Sequence, residues 1–318
     1  MESGGVIMSA SGNTSQPLRG VLAPVVTPFT AHLAPDQDRF NRHCAWLLAS
    51  GCAGLAVFGT NSEANSLGLE ERKALLEGLI ASGVPAARLI PGTGCCALPE
   101  TAALSAHAVG LGCSGVLMLP PFYYKDVSEE GLFRSYSEVI QRVGDARLRI
   151  YLYHIPPVSG VAVPVALVER LLKAYPGIVA GIKDSSGDWE NSKALLAYAG
   201  AGLEVFVGSE VFLLRAMRLG GAGCITAGAN VNPGAIDQVY RQWRAPEAAA
   251  LQDKIDRVRM ILQSHGPMIP ALKAVVAHFA KDPGWKTVRP PLVELPEAQA
   301  DALIRDLMDA GFAMPGVG

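Results

Sequence analysis

The chain has 318 residues, half of them hydrophobic and 18% charged, with 27 Lys and Arg against 29 Asp and Glu and a net charge of -2. That length holds one large α/β domain or two smaller ones. The near-neutral balance gives no electrostatic basis for binding nucleic acid or an anionic membrane surface, so a small-molecule partner is expected.

Residues 1–17 are rich in Ser and Gly, lack the basic start and apolar core of a secretory signal, and are expected to form a loose tail. From residue 18 onward, short apolar runs alternate with segments of helical period about eight times. The pattern predicts strands over 21–26, 54–58, 89–92, 115–119, 149–155, 178–183, 204–207 and 223–227. Helices are predicted over 36–50, 69–81, 99–110, 128–142, 164–174, 188–199, 211–219 and 233–243. Eight such units predict a closed (β/α)8 TIM barrel over 18–244, with an open doubly wound sheet as the alternative. The open sheet is disfavoured because no Gly-x-Gly-x-x-Gly follows the first strand and no Gly-x-x-x-x-Gly-Lys-Ser/Thr is present. Three further helices are predicted over 246–264, 268–280 and 296–311, interrupted around Pro283, Pro290 and Pro291, giving a C-terminal helical region over 245–318. The apolar stretches are all short and broken by Gly, Pro or charge, so no membrane-spanning helix is predicted.

The six cysteines, Cys44, Cys52, Cys95, Cys96, Cys113 and Cys224, form no CxxC pair and have no His at ligand spacing. Buried free thiols are expected, no metal site is expected, and the composition suits a reducing cytoplasm.

The sixth predicted strand ends at a lysine, in Gly181-Ile182-Lys183-Asp184-Ser185-Ser186-Gly187-Asp188. Lysine is rarely buried without a partner. Either Lys183 is an amine made nucleophilic by its surroundings and able to form a Schiff base with a carbonyl substrate, or it snorkels to the surface or pairs with Asp184. In a barrel the active site gathers at the carboxyl ends of the strands. There the chain carries Gly59-Thr60-Asn61-Ser62-Glu63 after strand two, Pro120-Pro121-Phe122-Tyr123-Tyr124 after strand four, and Tyr153-His154-Ile155-Pro156 on strand five.

Together with Thr27-Pro28-Phe29 after strand one and Glu130-Gly131-Leu132, these segments resemble the pyruvate-dependent class I aldolase and lyase family that includes dihydrodipicolinate synthase and N-acetylneuraminate lyase. The resemblance runs from about Gly20 into the final helices. It implies that Lys183 attacks C2 of pyruvate or a longer 2-oxo acid to form an imine, which serves as the electron sink with no metal or organic cofactor. It implies that Tyr153 shuttles protons and that Thr60 relays them to a second tyrosine, Tyr124 or alternatively Tyr123, entering from a neighbouring subunit of a homotetramer built as a pair of tight dimers. The carboxylate of the 2-oxo acid would be held at Thr60 and Asn61, and the carbonyl oxygen of Ile225 would complete the imine pocket. His154, adjacent to Tyr153, is expected to face the other side of the strand and to be structural.

The chain departs from its best-known relatives at the substrate-specific positions. Val158 stands where dihydrodipicolinate synthases usually carry the arginine that holds the second substrate's carboxylate, and Leu69, Arg72 and Cys96 replace their lysine-feedback pattern. Ala227 stands where N-acetylneuraminate lyases carry a serine, and Asn61 replaces the common Thr or Ser. Glu210, in Gly208-Ser209-Glu210, is expected either to accept hydrogen bonds from substrate hydroxyls or simply to complement a helix dipole. The expected enzyme is a lyase for 2-keto-3-deoxy sugar acids or 4-hydroxy-2-oxo acids. A dihydrodipicolinate synthase or a sugar-acid dehydratase are the alternatives, and a non-catalytic small-acid sensor or a metal-dependent aldolase are the rival classes.

Overall fold

The computed structural model describes residues 18–318, so the expected N-terminal tail lies outside the described residues. Seven parallel strands, β1 (Gly20–Ala23), β2 (Gly54–Leu55), β3 (Val116–Met118), β4 (Ile150–His154), β5 (Val179–Asp184), β6 (Glu204–Val207) and β7 (Gly223–Ile225), run in the order β2-β1-β7-β6-β5-β4-β3. The eighth stave is the predicted third strand, and it closes the ring between β2 and β3 without forming a regular ladder. Leu89 bridges Leu55 and Gly92 bridges Leu117, with Gly92 N–H donating to Val57 O at 2.7 Å and Leu117 N–H donating to Pro91 O at 2.9 Å. Pro91 has no N–H to give, which interrupts the pairing at its centre. Pro24 similarly ends β1 at Ala23, three residues before the predicted limit.

The helices around the ring are α1 (Gln37–Ala49), α2 (Leu69–Ala81), α3 (Leu98–Gly110), α4 (Glu129–Val143), the single turn α5 (Pro156–Ser159), α6 (Val165–Ala174), α7 (Trp189–Leu196), α8 (Leu213–Arg218) and α9 (Pro233–Arg241). The sequence pattern gave no warning of α5. Elsewhere the expected signals operate: on α4, Ser128 accepts from Gly131 N–H at 3.1 Å at the start, Gly144 takes φ 60 at the end, and Leu132, Tyr136, Val139 and Ile140 form the buried stripe.

Three buried apolar clusters among the described residues follow from this arrangement, two of them belonging to the barrel itself. Outward-facing strand residues and the helices form the large outer one. Inside the barrel, Leu22, Ala56, Ile90, Leu117, Tyr151, Tyr153, Phe206 and Ile225 fill the lumen. Tyr151 needs the glycines on the neighbouring staves, since a Cβ at Gly181 would lie 2.6 Å from its ring, and its hydroxyl donates to Glu204 Oε2 at 2.7 Å. The closing helices α10 (Ala248–Ser264), α11 (Met268–Phe279) and α12 (Glu297–Asp309) pack with Val26, Ala227 and Val231 over the carboxyl side of β1 and β7. Among the described residues no helix is long and apolar enough to cross a membrane. Cys44, Cys52 and Cys224 are buried free thiols as expected, Cys95 and Cys113 are half-buried, and Cys96 is exposed.

His43 is fully enclosed on α1, its ring centroid 5.6 Å from that of Trp46 and 5.0 Å from that of Trp285, and neither ring nitrogen has a hydrogen-bond partner. Burial pushes its pKa down to about 4. The unfolded chain, with a histidine near pKa ~6.5, then binds the proton more tightly than the fold does, so stability is lost as pH falls from about 6.5 towards 4, by at most about 3 kcal/mol. Denaturant titrations of wild type and His43→Phe across that range should show the difference between them shrinking or reversing towards acid; a constant difference would refute the assignment.

Candidate active site

The alternation of strand side chains decides which residues enter the lumen. On β4 and β5, Tyr153 is in register with Lys183 and His154 with Asp184. Asp184 turns outward to α7, where Oδ2 accepts from Ser192 Oγ at 2.6 Å and Asn191 Nδ2 at 3.0 Å and Oδ1 accepts from Ser186 N–H at 2.9 Å. His154 turns the same way, and its Nδ1 accepts from Val163 N–H at 2.9 Å, which fixes the neutral Nε2–H tautomer; burial lowers its pKa. His154 is therefore structural, as expected.

Lys183 turns inward. It is 2% exposed, its Nζ stands 4.1 Å from the centroid of the Tyr153 ring, and no carboxylate lies within 4.0 Å of it among the described residues. The pairing with Asp184 left open by the sequence does not occur. Tyr153 reaches further, and its hydroxyl lies 3.2 Å from Thr60 Oγ1. Thr60 opens a 3-10 turn, Thr60–Ser62, bracketed by two non-glycine residues in the left-handed region, Phe58 (φ 60) and Glu63 (φ 54).

Thr60 and Tyr153 border a cavity of about 270 Å³ whose wall includes Leu117, Leu119, Ile269 and Leu292, with Asn65 and Ser66 on its polar side. Glu63 is the one charged residue in the lining. Lys183 is not in the wall and adjoins the cavity only through the Tyr153 ring. The other expected site residues are dispersed. Ile225 is buried in the lumen, and Asn61 is half-buried next to Thr60 but outside the lining. Val158, on α5, is 66% exposed, and Tyr124 is 72% exposed, packed edge-to-face on Tyr123 with no contact to Tyr153 or Thr60 given by its own subunit.

Glu210 is the clearest departure. It is buried, its Oε2 accepts from Thr226 Oγ1 and from Arg259 Nη1 at 3.1 Å, and its carbonyl accepts from Gln252 Nε2 at 2.9 Å. Those contacts fasten the loop after β6 to β7 and α10, so the carboxylate expected to meet substrate hydroxyls is engaged in the fold instead.

Sequence reasoning missed Lys273 and Arg289. Lys273, in the middle of α11, is 0% exposed and forms an ion pair with Glu63, with Nζ also donating to Thr287 O at 2.8 Å. Burial pulls its pKa down to about 8 against the opposing pull of Glu63. Arg289 N–H donates to Glu63 Oε2 at 3.0 Å, and its guanidinium holds Glu71 at 2.5 Å. A lone charge in the apolar run Met268-Ile269-Pro270-Ala271-Leu272-Lys273-Ala274-Val275-Val276 was the available signal. Among the described residues no group of three or more His, Cys, Asp or Glu is placed to hold a metal ion.

The sequence model of the dihydrodipicolinate synthetase family matches residues 17–310. An uncharacterized DapA-like lyase of Chloroflexus aurantiacus is 34% identical over 288 residues, covering 90% of this chain and 94% of the relative. The crystal structure of dihydrodipicolinate synthase from Agrobacterium tumefaciens superposes with a TM-score of 0.84 at 34% identity, covering 92% of this chain and 99% of that one. YagE, an Escherichia coli prophage protein of the dihydrodipicolinic acid synthase family solved in complex with pyruvate, superposes with a TM-score of 0.84 at 28% identity, covering 93% and 99%.

Replacing Arg259 by Met strands the Glu210 carboxylate in the interior, and the expected cost is about 3–5 kcal/mol, read as a lower denaturant midpoint. The pair Glu210→Gln with Arg259→Met should recover much of the loss; equal losses in single and double variants would contradict the ion-pair account.

Proposed function

The chain belongs to the dihydrodipicolinate synthetase family and is a lyase, and from that premise we propose that it works on pyruvate and 2-oxo acids through an imine on Lys183. The observation that carries the reading is a buried lysine with no carboxylate partner, set against a tyrosine whose hydroxyl meets Thr60. The amine adds to the C2 carbonyl of the 2-oxo acid, and loss of water leaves a protonated imine. With a 4-hydroxy-2-oxo acid, the C4 hydroxyl gives up its proton to a base, the bond between C3 and C4 breaks, an aldehyde leaves, and the electron pair moves into an enamine. Protonation at C3 and hydrolysis then release pyruvate and restore the amine. Tyr153 is positioned to carry these protons, with Thr60 as its hydrogen-bond partner. The carboxylate of the 2-oxo acid is assigned to the turn at Thr60 and Asn61, and the carbonyl of Ile225 to the side of the imine. The relative solved with pyruvate supports the donor substrate.

The acceptor aldehyde is proposed to be uncharged and hydroxylated, as released from a 2-keto-3-deoxy sugar acid. Among the described residues no Lys or Arg lines the cavity, Val158 carries no charge, and the ammonium of Lys125 on the adjacent loop is held by the carbonyls of Phe122 and Ser159. A site without a cation binds a second carboxylate poorly. The second reading, 4-hydroxy-tetrahydrodipicolinate synthase, is favoured by the named activity of the Agrobacterium relative, and a dehydratase would share the imine and the loss of a C3 proton. The exposed Tyr123 and Tyr124 pair is what a symmetric contact would bury, and we assign Tyr124 to a neighbour's site within a homotetramer in the cytoplasm.

Incubation with pyruvate and sodium borohydride should add one reduced pyruvate to the intact mass of the wild type and none to Lys183→Ala; no adduct on the wild type would remove the imine mechanism. Tyr153→Phe should lower turnover by about a hundredfold while substrate binding persists, measured as pyruvate release from a keto-deoxy sugar acid. Tyr124→Phe and Lys183→Ala subunits, each inactive alone, should regain activity when mixed under exchange conditions if Tyr124 serves a neighbouring site.

A further inference from the structure

A fully buried ion pair, Glu63 with Lys273, has its carboxylate residue in the wall of the cavity, and the imine chemistry makes no direct use of it. Glu63 follows the turn that carries Thr60, with Glu63 N–H donating to Thr60 O at 3.1 Å, and it holds a left-handed backbone that costs free energy in a residue with a side chain. Both carboxylate oxygens are taken from the far side of the chain: Oε1 by the ammonium of Lys273 on α11, and Oε2 by the backbone N–H of Arg289. Arg289 in turn donates from Nη1 to Ser66 O at 2.6 Å and grips Glu71 at the start of α2. The ring of Phe29 lies between the two cations, 4.5 Å from Lys273 Nζ and 4.7 Å from the Arg289 guanidinium carbon. The loop between Thr60 and α2 is thereby fastened at its turn, its middle and its end by a segment more than 200 residues later in the chain.

We infer that Lys273 is a positioning residue: with Arg289 it locks Glu63, and through it the Thr60 turn, in the geometry that sets Thr60 Oγ1 against the Tyr153 hydroxyl. A buried ion pair is a weak source of net stability but a strong source of fixed geometry, because either charge alone would be stranded. The hydrogen bond it serves tolerates little error, since a proton relay needs its oxygens within hydrogen-bond reach. The contacts connect the C-terminal helices to a step of catalysis they do not touch. This inference rests on the imine reading above and concerns the proton transfers; because the same turn is assigned to the carboxylate of the 2-oxo acid, the attack of Lys183 on the carbonyl is expected to be unaffected only once pyruvate is saturating.

The test uses the paired substitution Lys273→Met with Glu63→Gln, which removes both charges and strands neither, alongside Thr60→Val and the triple combination. Two signals are read on full-length protein: the borohydride-reduced pyruvate adduct by intact mass, and exchange of the C3 protons of pyruvate into deuterated water by proton NMR. With both signals read at saturating pyruvate, the paired variant is expected to keep the wild-type adduct yield, to lose C3 exchange at least tenfold, and to lose no more when Thr60→Val is added. A merely structural role would lower both signals together, and that result overturns the inference, as does exchange at the wild-type rate or a further tenfold loss from Thr60→Val. If the wild type forms no adduct, the imine reading falls and this inference with it; an adduct on the wild type with undiminished exchange in the paired variant removes the clamp alone.

Discussion

The period of two along β5 is the constraint on which the site depends. Successive side chains on a strand face opposite ways, so Ile182 and Asp184 belong to the outer layer while Gly181 and Lys183 belong to the lumen. The parallel register with β4 then pairs like with like, putting Tyr153 beside Lys183 inside and His154 beside Asp184 outside. A slip of β5 by one residue would turn the amine of Lys183 out towards α7 and bring Asp184 into the barrel beside Tyr153. The outer pair guards against that slip. Asp184 is anchored by Ser186, Asn191 and Ser192, and His154 by the backbone at Val163, so the residues that do no chemistry hold the register of those assigned to it.

Much of this was legible in the sequence because the governing signals are local. The alternation of apolar runs with helical periods marked the eight units, and a polar cluster after each apolar run marked the carboxyl ends. Strand parity separated Tyr153 from His154 without coordinates. The signals failed where a tertiary partner decides the outcome. The third stave is held by bridges to Leu55 and Leu117 although Pro91 breaks its own ladder, and β2 is cut to Gly54–Leu55 before Phe58 takes φ 60. Nothing within a few residues of Glu210 signals Arg259, nor anything near Glu63 signals Lys273, since each partner lies on a helix appended after the last barrel unit. For that reason the sequence leaves Glu210 open between substrate hydroxyls and a helix dipole, and gives no sign that Lys273 on α11 pairs with Glu63.

The substrate end of the cavity follows the same division between local and distant causes. Val158 announces in the sequence that a cation is missing, and the structure extends the point by showing that Lys125 is occupied by two carbonyls. Apart from the paired Glu63, the polar groups of the lining, Asn65, Ser66 and the two hydroxyls of Thr60 and Tyr153, are neutral, which is the ground for proposing an uncharged, hydroxylated acceptor. Opposite them the wall is aliphatic and comes partly from α11 and the segment after it, through Ile269, Pro291 and Leu292. The C-terminal region therefore contributes to the shape of the cavity as well as to the fastening of its polar edge.

Two lysines are buried among the described residues, and they differ in how the fold accommodates them. Lys273 satisfies its ammonium in full, with a carboxylate, a carbonyl and an aromatic face around it, as a charge removed from water must be if it is to stay charged. Lys183 is nearly as deeply placed, and among the described residues its ammonium has the face of Tyr153 but no hydrogen-bond or ion-pair partner. Stability accounts for the first arrangement, because removing any one partner leaves the rest uncompensated. Stability gives no reason for the second, since an apolar side chain filling the same space would remove the desolvation cost and lose no ion pair. A lysine that the fold neither pairs nor expels is the ground on which the imine is proposed, and the Tyr153 ring beside it, whose hydroxyl meets Thr60, is the ground on which the proton transfers are assigned to those two residues.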